Sequence, residues 1–402
     1  METRNDYDVI IAGGGPAGSS AAIHLAMRGA RVLVVEQKKF PRPKLCGEFI
    51  SPECALHFER LQVADAMAVA GPSHLTATVF YSRLGNNVRV PSSWFAANTV
   101  ALGLSRAEMD ERLLRRASDA GADVREEAHA TNPTFDGQTV SGLTIKQGTR
   151  ETNCRASVII DATGRTRALT RKLMSQRARA ERRPMVAFKA HFENTRIEPG
   201  ACEIYFYHRG YGGLSSIENG LSNLCFIASA RDVRASGADA GRVMREVVCQ
   251  NRRAASTLKD ARLQSAWLAV SLEGFGRGPL APQNGLLTIG DAASFIDPFT
   301  GSGMLMALES GELAADTISD FLDQQPDLRD LDELRSAYAT RYHKMFDSRL
   351  KLSSLLRRAA FVPGFAAAAI ALCGTSDRVR RKLAQATRGS RAETSAAAMR
   401  LR

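Results

Sequence analysis

Tyr7-Asp8-Val9-Ile10-Ile11-Ala12-Gly13-Gly14-Gly15-Pro16-Ala17-Gly18 leads into a helical stretch, Ser19 to Arg28, and then into a second apolar run, Ala30-Arg31-Val32-Leu33-Val34-Val35, which ends at Glu36. Strand, glycine turn, helix, and strand with an acid at its tip is the layout of a dinucleotide-binding βαβ unit. Gly13 permits the tight turn, Gly15 lets the backbone approach a pyrophosphate, and Gly18 lets helix and strand pack closely. The unpaired N–H groups and the dipole of the helix N-terminus favour phosphate there. Glu36 suits a ribose diol and would repel a 2′-phosphate.

The 402 residues suffice for about two domains, and 44% hydrophobic with 24% charged residues is an ordinary globular composition. The first strand begins close to Met1, which leaves no room for a secretory apolar region, and no apolar run reaches the roughly 20 residues of a bilayer span. Seven cysteines without a CxxC pair argue against a disulfide framework and for a reducing cytoplasm. Neither they nor the seven histidines have metal-ligand spacing, so no metal is expected. A net charge of +12 suggests nucleic acid, but aromatics are only 6% and no nucleic-acid-binding module is visible. Basic residues concentrate instead between Arg165 and Arg183 and from Arg349 to Arg402.

Leu45 to Leu61 reads as a turn and a helix, Leu75 to Val90 as strands, and Leu104 to Ala120 as a helix. Ala122 to Ile160 reads as a β-meander with turns at Asp136-Gly137 and Gln147-Gly148. Met185 to Ala230 is the most strand-like stretch, residues 237–262 read as helical, and a long helix runs from Gly303 to about Leu322. Two further strand-to-turn motifs follow the first: Val158-Ile-Ile-Asp161-Ala162-Thr163-Gly164, and Gly290-Asp291-Ala292-Ala293 with Asp297-Pro298-Phe299-Thr300-Gly301-Ser302-Gly303.

This ordered set resembles the FAD-dependent p-hydroxybenzoate-hydroxylase superfold. Within it, Lys44-Leu45-Cys46-Gly47-Glu48, Gly210-Tyr211-Gly212-Gly213-Leu214 and the run Asn284 to Gly311 are similar to geranylgeranyl reductases. The resemblance implies an α/β (α+β) fold: a discontinuous Rossmann-like FAD-binding domain (1–74, 101–182 and 276–330) with an inserted antiparallel β-sheet substrate domain (75–100 and 183–275). A helical, basic region (331–386) and a disordered tail (387–402) complete the expected organisation.

The same resemblance implies FAD-binding roles. Gly13, Gly15, Pro16, Ala17, Gly18, Glu36 and Gln37 would hold the ADP half. Arg106 and Asp291 would approach the phosphates or ribityl chain, Cys46 would sit beside the flavin near the substrate, and Lys44, Gly47, Gly164 and Gly290 would also contact the cofactor. Pro298, Gly301, Ser302, Gly303 and Met304 would lie against the isoalloxazine. Cys46 and Tyr211 are the catalytic candidates. The cysteine reads equally as a small buried hydrophobe, and Tyr211, like Tyr207 and His208, as an ordinary strand residue. His24 and His57 read as helix packing or surface residues.

Three departures bear on the chemistry. Gly213 and Leu214-Ser215 stand where these reductases commonly carry an aromatic residue. Ser294 replaces the histidine of aromatic hydroxylases. Trp94 and Trp267 stand alone, so the halogenase WxWxIP motif is missing.

The implied activity is hydride transfer from flavin N5 to a C=C bond of a bulky, apolar, isoprenoid- or polyketide-like substrate. NAD(P)H, docking transiently, or a reduced protein donor such as ferredoxin would supply electrons. The alternatives are a monooxygenase working through a flavin C4a-hydroperoxide, and a non-catalytic flavoprotein that binds a lipid or a partner. The basic run after Gly164 reads as a solvated helix face or as a dock for an anionic donor or substrate. Phe361 to Cys373 is apolar between basic flanks, and reads either as core packing or as peripheral contact with an anionic membrane.

Overall fold

Val9, Ile10, Ile11 and Ala12 are almost wholly shielded from solvent because Tyr7–Ala12 is the central strand of the nucleotide-side sheet. In the computed structural model, which describes residues 6–96, 99–174, 184–272, 275–360 and 364–387, five strands of this sheet run parallel. Their order is Asp123–Arg125, Val32–Val35, Tyr7–Ala12, Arg150–Asp161 and Leu286–Thr288. A strand buried on both faces requires an unbroken apolar run, and that is what the sequence shows at Val9 to Ala12 and Val32 to Val35. Arg150–Asp161 has two roles. Its first half pairs antiparallel with Thr139–Gln147, which in turn pairs with Ala128–Asp136, giving the expected meander. Its second half joins the parallel sheet.

Helices Pro16–Met27, Arg106–Asp119 and Gly303–Leu322 cover one face, sharing a core with Val9, Ile11 and Ile160. Helices Pro16–Met27 and Gly303–Leu322 approach closely through Gly311: a Cβ there would lie 2.5 Å from the carbonyl oxygen of Ala17. Helix Leu331–Ala360 adds Tyr338, Tyr342 and Phe346, spaced four apart, to the same core. The Tyr338 hydroxyl donates to the Thr288 carbonyl at 2.6 Å, which ties this helix to the last parallel strand.

A second sheet of eight strands stands beside the first. Its order is Arg262–Leu263, Met185–Glu193, Ser222–Ser229, Gly210–Ser216, Ala201–Tyr207, Ala77–Tyr81 and Asn87–Pro91, with Leu268–Leu272 also on Met185–Glu193. A small sheet of Phe49–Ile50, Ala101–Gly103 and Ser73–Leu75 lies among the connecting segments. The C-terminal helices Phe365–Thr375 and Asp377–Ala386 approach the edge strand Asn87–Pro91.

Three details differ from the sequence reading. The first helix begins at Pro16 rather than Ser19, since proline at the first helical position already has the required φ and lacks only an N–H that would be unpaired anyway. The large sheet is not wholly antiparallel: Ala77–Tyr81 comes from a distant segment, free of hairpin geometry, and pairs in parallel with Ala201–Tyr207. The 237–262 stretch is split into helices Ala240–Glu246 and Arg252–Thr257 by Asn251. Its buried side chain caps the second helix at Arg253 and Ala254 and donates to the carbonyls of Tyr81, Ser82 and Phe206. The residues expected as a disordered tail lie, after Thr387, outside the described residues.

A Cβ on Gly18 would fall 1.9 Å from the carbonyl oxygen of Gly13. Gly18→Ala must therefore shift backbone, and a cost of about 1–3 kcal/mol is expected from such overpacking. Thermal unfolding of the purified variant should show a midpoint lower by several degrees; an unchanged midpoint would refute the close approach.

Candidate active site

The glycine turn leaves a helix N-terminus exposed to a cavity. Gly13 adopts φ +110°, and a Cβ on it would lie 2.5 Å from Ala162 O, so the turn needs glycine there. Gly15 caps helix Pro16–Met27 with no side-chain hydrogen bond, which leaves first-turn N–H groups uncapped. Glu36 is buried at the end of Val32–Val35, where it accepts the N–H of Gly14 at 2.9 Å and of Lys38 at 3.0 Å, with Arg42 at 3.6 Å. Each carboxylate oxygen retains a second lone pair for a ribose hydroxyl. Gln37 is exposed beyond it.

Lys44 brings its ammonium to the same turn: Lys44 Nζ lies 3.9 Å from a Cβ built on Gly15. Burial, then Arg106, lowers its pKa, while Asp110 and Asp291 oppose the shift. Next to it Cys46 lines the cavity, its Sγ accepting the Glu48 N–H at 3.4 Å and its carbonyl accepting from Asn223 Nδ2 at 3.1 Å.

Glu48 organises this segment. It is fully buried with a left-handed backbone (φ +52°), strained for a non-glycine residue. Its carboxylate accepts the Arg106 N–H at 2.8 Å, His191 Nε2 lies 2.7 Å away, and Lys189 Nζ forms an ion pair with it. Burial pushes its pKa up, but the His191 hydrogen bond and the Lys189 charge win and hold it below the ordinary carboxylate value. Arg106 starts helix Arg106–Asp119, and its guanidinium forks onto Asp110 at 2.7 and 2.6 Å. It lines the cavity with its charge already balanced.

On the other side, Gly290 (φ +57°) donates its N–H to Ser310 Oγ at 2.9 Å, and Asp291 faces the cavity. Gly301 (φ +62°), Gly303 and Met304 line it too, at the start of a helix that Ser302 does not cap through its side chain. Ser302 itself is buried and bonds Thr300 Oγ1 at 2.8 Å, and Pro298 opens the short turn Pro298–Thr300. Phe299 meets Phe80, Phe206 and Tyr211, with ring centroids 5.5–5.9 Å apart. The Tyr211 hydroxyl donates to Asp297 Oδ1, which also accepts the Phe299 N–H at 2.9 Å. Asp297 Oδ2 is buried without a hydrogen bond, 4.0 Å from Arg357 Nε.

Gly15, Pro16, Ala17, Lys44, Cys46, Gly47, Glu48, Arg106, Gly164, Gly290, Asp291, Gly301, Gly303 and Met304 line one cavity of about 730 Å³, whereas Gly13, Gly18, Glu36, Gln37, Pro298 and Ser302 are not among its lining residues. Its first end is the glycine turn with Lys44, Gly164 and Asp291, and its body is the apolar face of the large sheet, including Phe80, Val90 and Ile227. Its far wall is made by helix Phe365–Thr375, of which only Ile370 is buried. Among the strand candidates, Tyr211 lines the cavity; the Tyr207 hydroxyl bonds the Ile227 carbonyl at 2.9 Å, and His208 is exposed.

The basic run after Gly164 is not a uniform solvated face. Arg165 lines the cavity with its guanidinium 5.2 Å from the Phe295 ring centroid, and Arg167 Nε donates to the Ala292 carbonyl at 2.9 Å. Gly164 and Arg167, both in left-handed conformations, turn this segment inward. Arg171 and Lys172 are exposed, and Arg177, Arg179, Arg182 and Arg183 lie outside the described residues.

Sequence reasoning overlooked Glu48's partners, Asn223 and Asp297. Lys189 and His191 carried a signal, being two polar residues on one face of an otherwise apolar strand.

The fit to a flavin dinucleotide is good. Gly15 opens onto space a side chain would fill, uncapped N–H groups point there, and among the described residues no carboxylate lies within ion-pair reach of Lys44. Loss of Glu48 should reach both stability and this geometry. Because its folded pKa lies below the ordinary 4.5, its contribution is present above that pH and lost as pH falls through the folded value. Glu48→Gln should cost on the order of 3–5 kcal/mol at pH 7 by leaving Lys189 buried and unpaired. Thermal unfolding of both proteins from pH 7 downward should show the gap closing below about pH 4.5; a gap that persists or widens there would contradict the ion-pair account.

The comparisons point to the same cofactor. An FAD binding domain model matches residues 6–341. A menaquinone reductase of Mycobacterium tuberculosis is 29% identical over 376 residues, covering 90% of this chain and 87% of the relative. A digeranylgeranylglycerophospholipid reductase of Thermoplasma acidophilum is 26% identical over 335 residues, 80% of each chain. The solved structure of the flavin-dependent brominase Bmp2 superposes with a TM-score of 0.79 at 22% identity, covering 98% of this chain and 97% of that one, a likeness of fold. The chain belongs to the FAD binding domain family and is an FAD-dependent oxidoreductase.

Proposed function

We propose that the protein reduces carbon–carbon double bonds of a bulky, apolar, prenyl-type substrate. The observation that carries this reading is the apolar cavity, which runs without interruption from the nucleotide cradle to the sheet wall of Phe80, Val90, Phe206 and Ile227. A cavity with those walls favours a hydrocarbon chain and excludes water from the reacting bond. The relatives are named a menaquinone reductase and a digeranylgeranylglycerophospholipid reductase, and the second name specifies geranylgeranyl chains.

Gly13, Gly15, Gly18 and the first turn of helix Pro16–Met27 would hold the FAD pyrophosphate with Lys44, and Glu36 the adenosine ribose. Asp291 would meet the ribityl chain, and Gly301 to Met304 would lie against the ring. Bound FAD, once reduced, supplies two electrons and one hydrogen as hydride. NAD(P)H would provide them as hydride, or a reduced protein donor would provide the electrons with the proton taken from solvent. The uncapped N-terminus of helix Gly303–Leu322 favours negative charge beside that ring.

Saturating an alkene also takes a proton at the neighbouring carbon. Tyr211 is the acid that this cavity presents. Its ring forms part of the wall, and its hydroxyl sits on buried Asp297. Burial, then the Asp297 charge, pushes the tyrosine hydroxyl well above its ordinary value, and burial raises Asp297 as well. Tyr211 gives its proton to the substrate carbon, and a proton from solvent, passed by way of the hydrogen-bonded Asp297 carboxyl, restores the phenol. Cys46, with Arg106 and the Glu48 N–H beside it, also lines the cavity.

Anaerobic mixing of the reduced, FAD-loaded protein with a polyprenyl lipid should return the yellow colour of oxidised flavin, whereas the fully saturated lipid should leave it bleached. Equal responses to the two would sink the alkene reading. Tyr211→Phe should slow this reoxidation by roughly 10²–10⁴-fold with FAD content unchanged, the loss expected on removing a general acid. A rate within a few-fold of wild type would remove the tyrosine from the mechanism.

A further inference from the structure

Helix Phe365–Thr375 contains no charged residue, yet only Ile370 is buried. A helix apolar on every side is normally enclosed on every side. Here one face, with Ala366, Ala369, Ile370 and Cys373, lines the cavity, and the other faces outward. Phe365, Leu372 and Leu383 line the cavity and are nevertheless 41%, 60% and 49% exposed, so they rim its mouth. The next helix, Asp377–Ala386, supplies charge beside that rim. It carries four basic residues and one acid. Arg380 is drawn onto the protein, 5.3 Å from the Trp94 ring centroid, and Gln385 Nε2 donates to the Trp94 carbonyl at 3.1 Å. Arg378, Arg381 and Lys382 are left facing outward, with Val379 exposed between them.

An apolar rim with a basic flank matches the interface of an anionic bilayer, with apolar groups at the acyl boundary and cations at the headgroups. We propose that residues 365–386 dock the protein on an anionic membrane with the cavity mouth against the lipid, so that an apolar substrate passes from bilayer to cavity without crossing water. The sequence left the apolar segment between core packing and membrane contact. Its described part is a cavity wall with an outward face, a geometry that joins the two. The docking claim rests on the alkene-reductase reading only for which molecule passes through the mouth.

Vesicle flotation of the oxidised, FAD-loaded full chain tests docking without any turnover. Wild type should float with phosphatidylcholine vesicles containing phosphatidylglycerol and not with phosphatidylcholine alone, and added salt should release it. Reversing Arg378, Arg381 and Lys382 to Glu should weaken partitioning at least on the order of 100-fold, about what three headgroup contacts contribute. Val379→Asp should weaken it too. Both variants should keep wild-type FAD content, melting temperature and activity on detergent-dissolved lipid, because none of the four residues lines the cavity. Wild type that fails to float, or variants that float equally, would overturn the proposal. So would salt-insensitive flotation, or lipid-free dimerisation abolished by Val379→Asp, which would make the rim a contact between copies. Flotation without alkene reduction would leave docking standing and remove the reductase reading instead.

Discussion

The Glu48 carboxylate joins three distant parts of the chain in one buried site. Its own segment carries Lys44 and Cys46, the Arg106 N–H belongs to the start of a helix packed in the nucleotide-side core, and Lys189 and His191 stand on the large sheet. A buried carboxylate is tolerable only with such partners, and each partner is costly without it. The left-handed backbone at Glu48 is part of the same arrangement, since three donors outweigh a strain on the order of 1–3 kcal/mol. With Glu48 fixed, the nucleotide cradle and the apolar sheet share a wall, and a cofactor and a hydrocarbon can meet there.

The cavity divides its chemistry by position. At one end the protein offers fixed dipoles and an ammonium, suited to phosphate and to negative charge on a reduced ring. At the other it offers hydrocarbon, where the energetic gain scales with apolar surface removed from water. Between them stands Tyr211, whose hydroxyl donates to the buried Asp297, and burial disfavours the charged form of each.

What was legible in the sequence was short-range. The turn from Gly13 to Gly18 and the meander turns at Gly137 and Gly148 are set by φ and close approach within a few residues, so spacing alone reveals them. Cys46 and Tyr211 also proved to face the cavity. The Glu48 cluster was hidden because its partners lie 141 and 143 residues away, where nothing local announces a pairing. Asp297 was read as part of a turn, yet it matters through a tyrosine 86 residues earlier. Composition left Arg165 and Arg167 between a solvated face and a dock for an anionic donor or substrate, because it could not show that left-handed residues at Gly164 and Arg167 turn them inward. The apolar C-terminal helix could not be assigned without knowing where the edge strand Asn87–Pro91 would stand.

The central claim is that two hydrogens are added across a C=C bond, with no oxygen atom transferred. Mass spectrometry of a polyprenyl lipid after incubation with the reduced, FAD-loaded protein, with and without dioxygen, tests it most directly. The account requires a product heavier by two hydrogens per double bond, formed without dioxygen. A product heavier by one oxygen atom, appearing only when dioxygen is present, would contradict it.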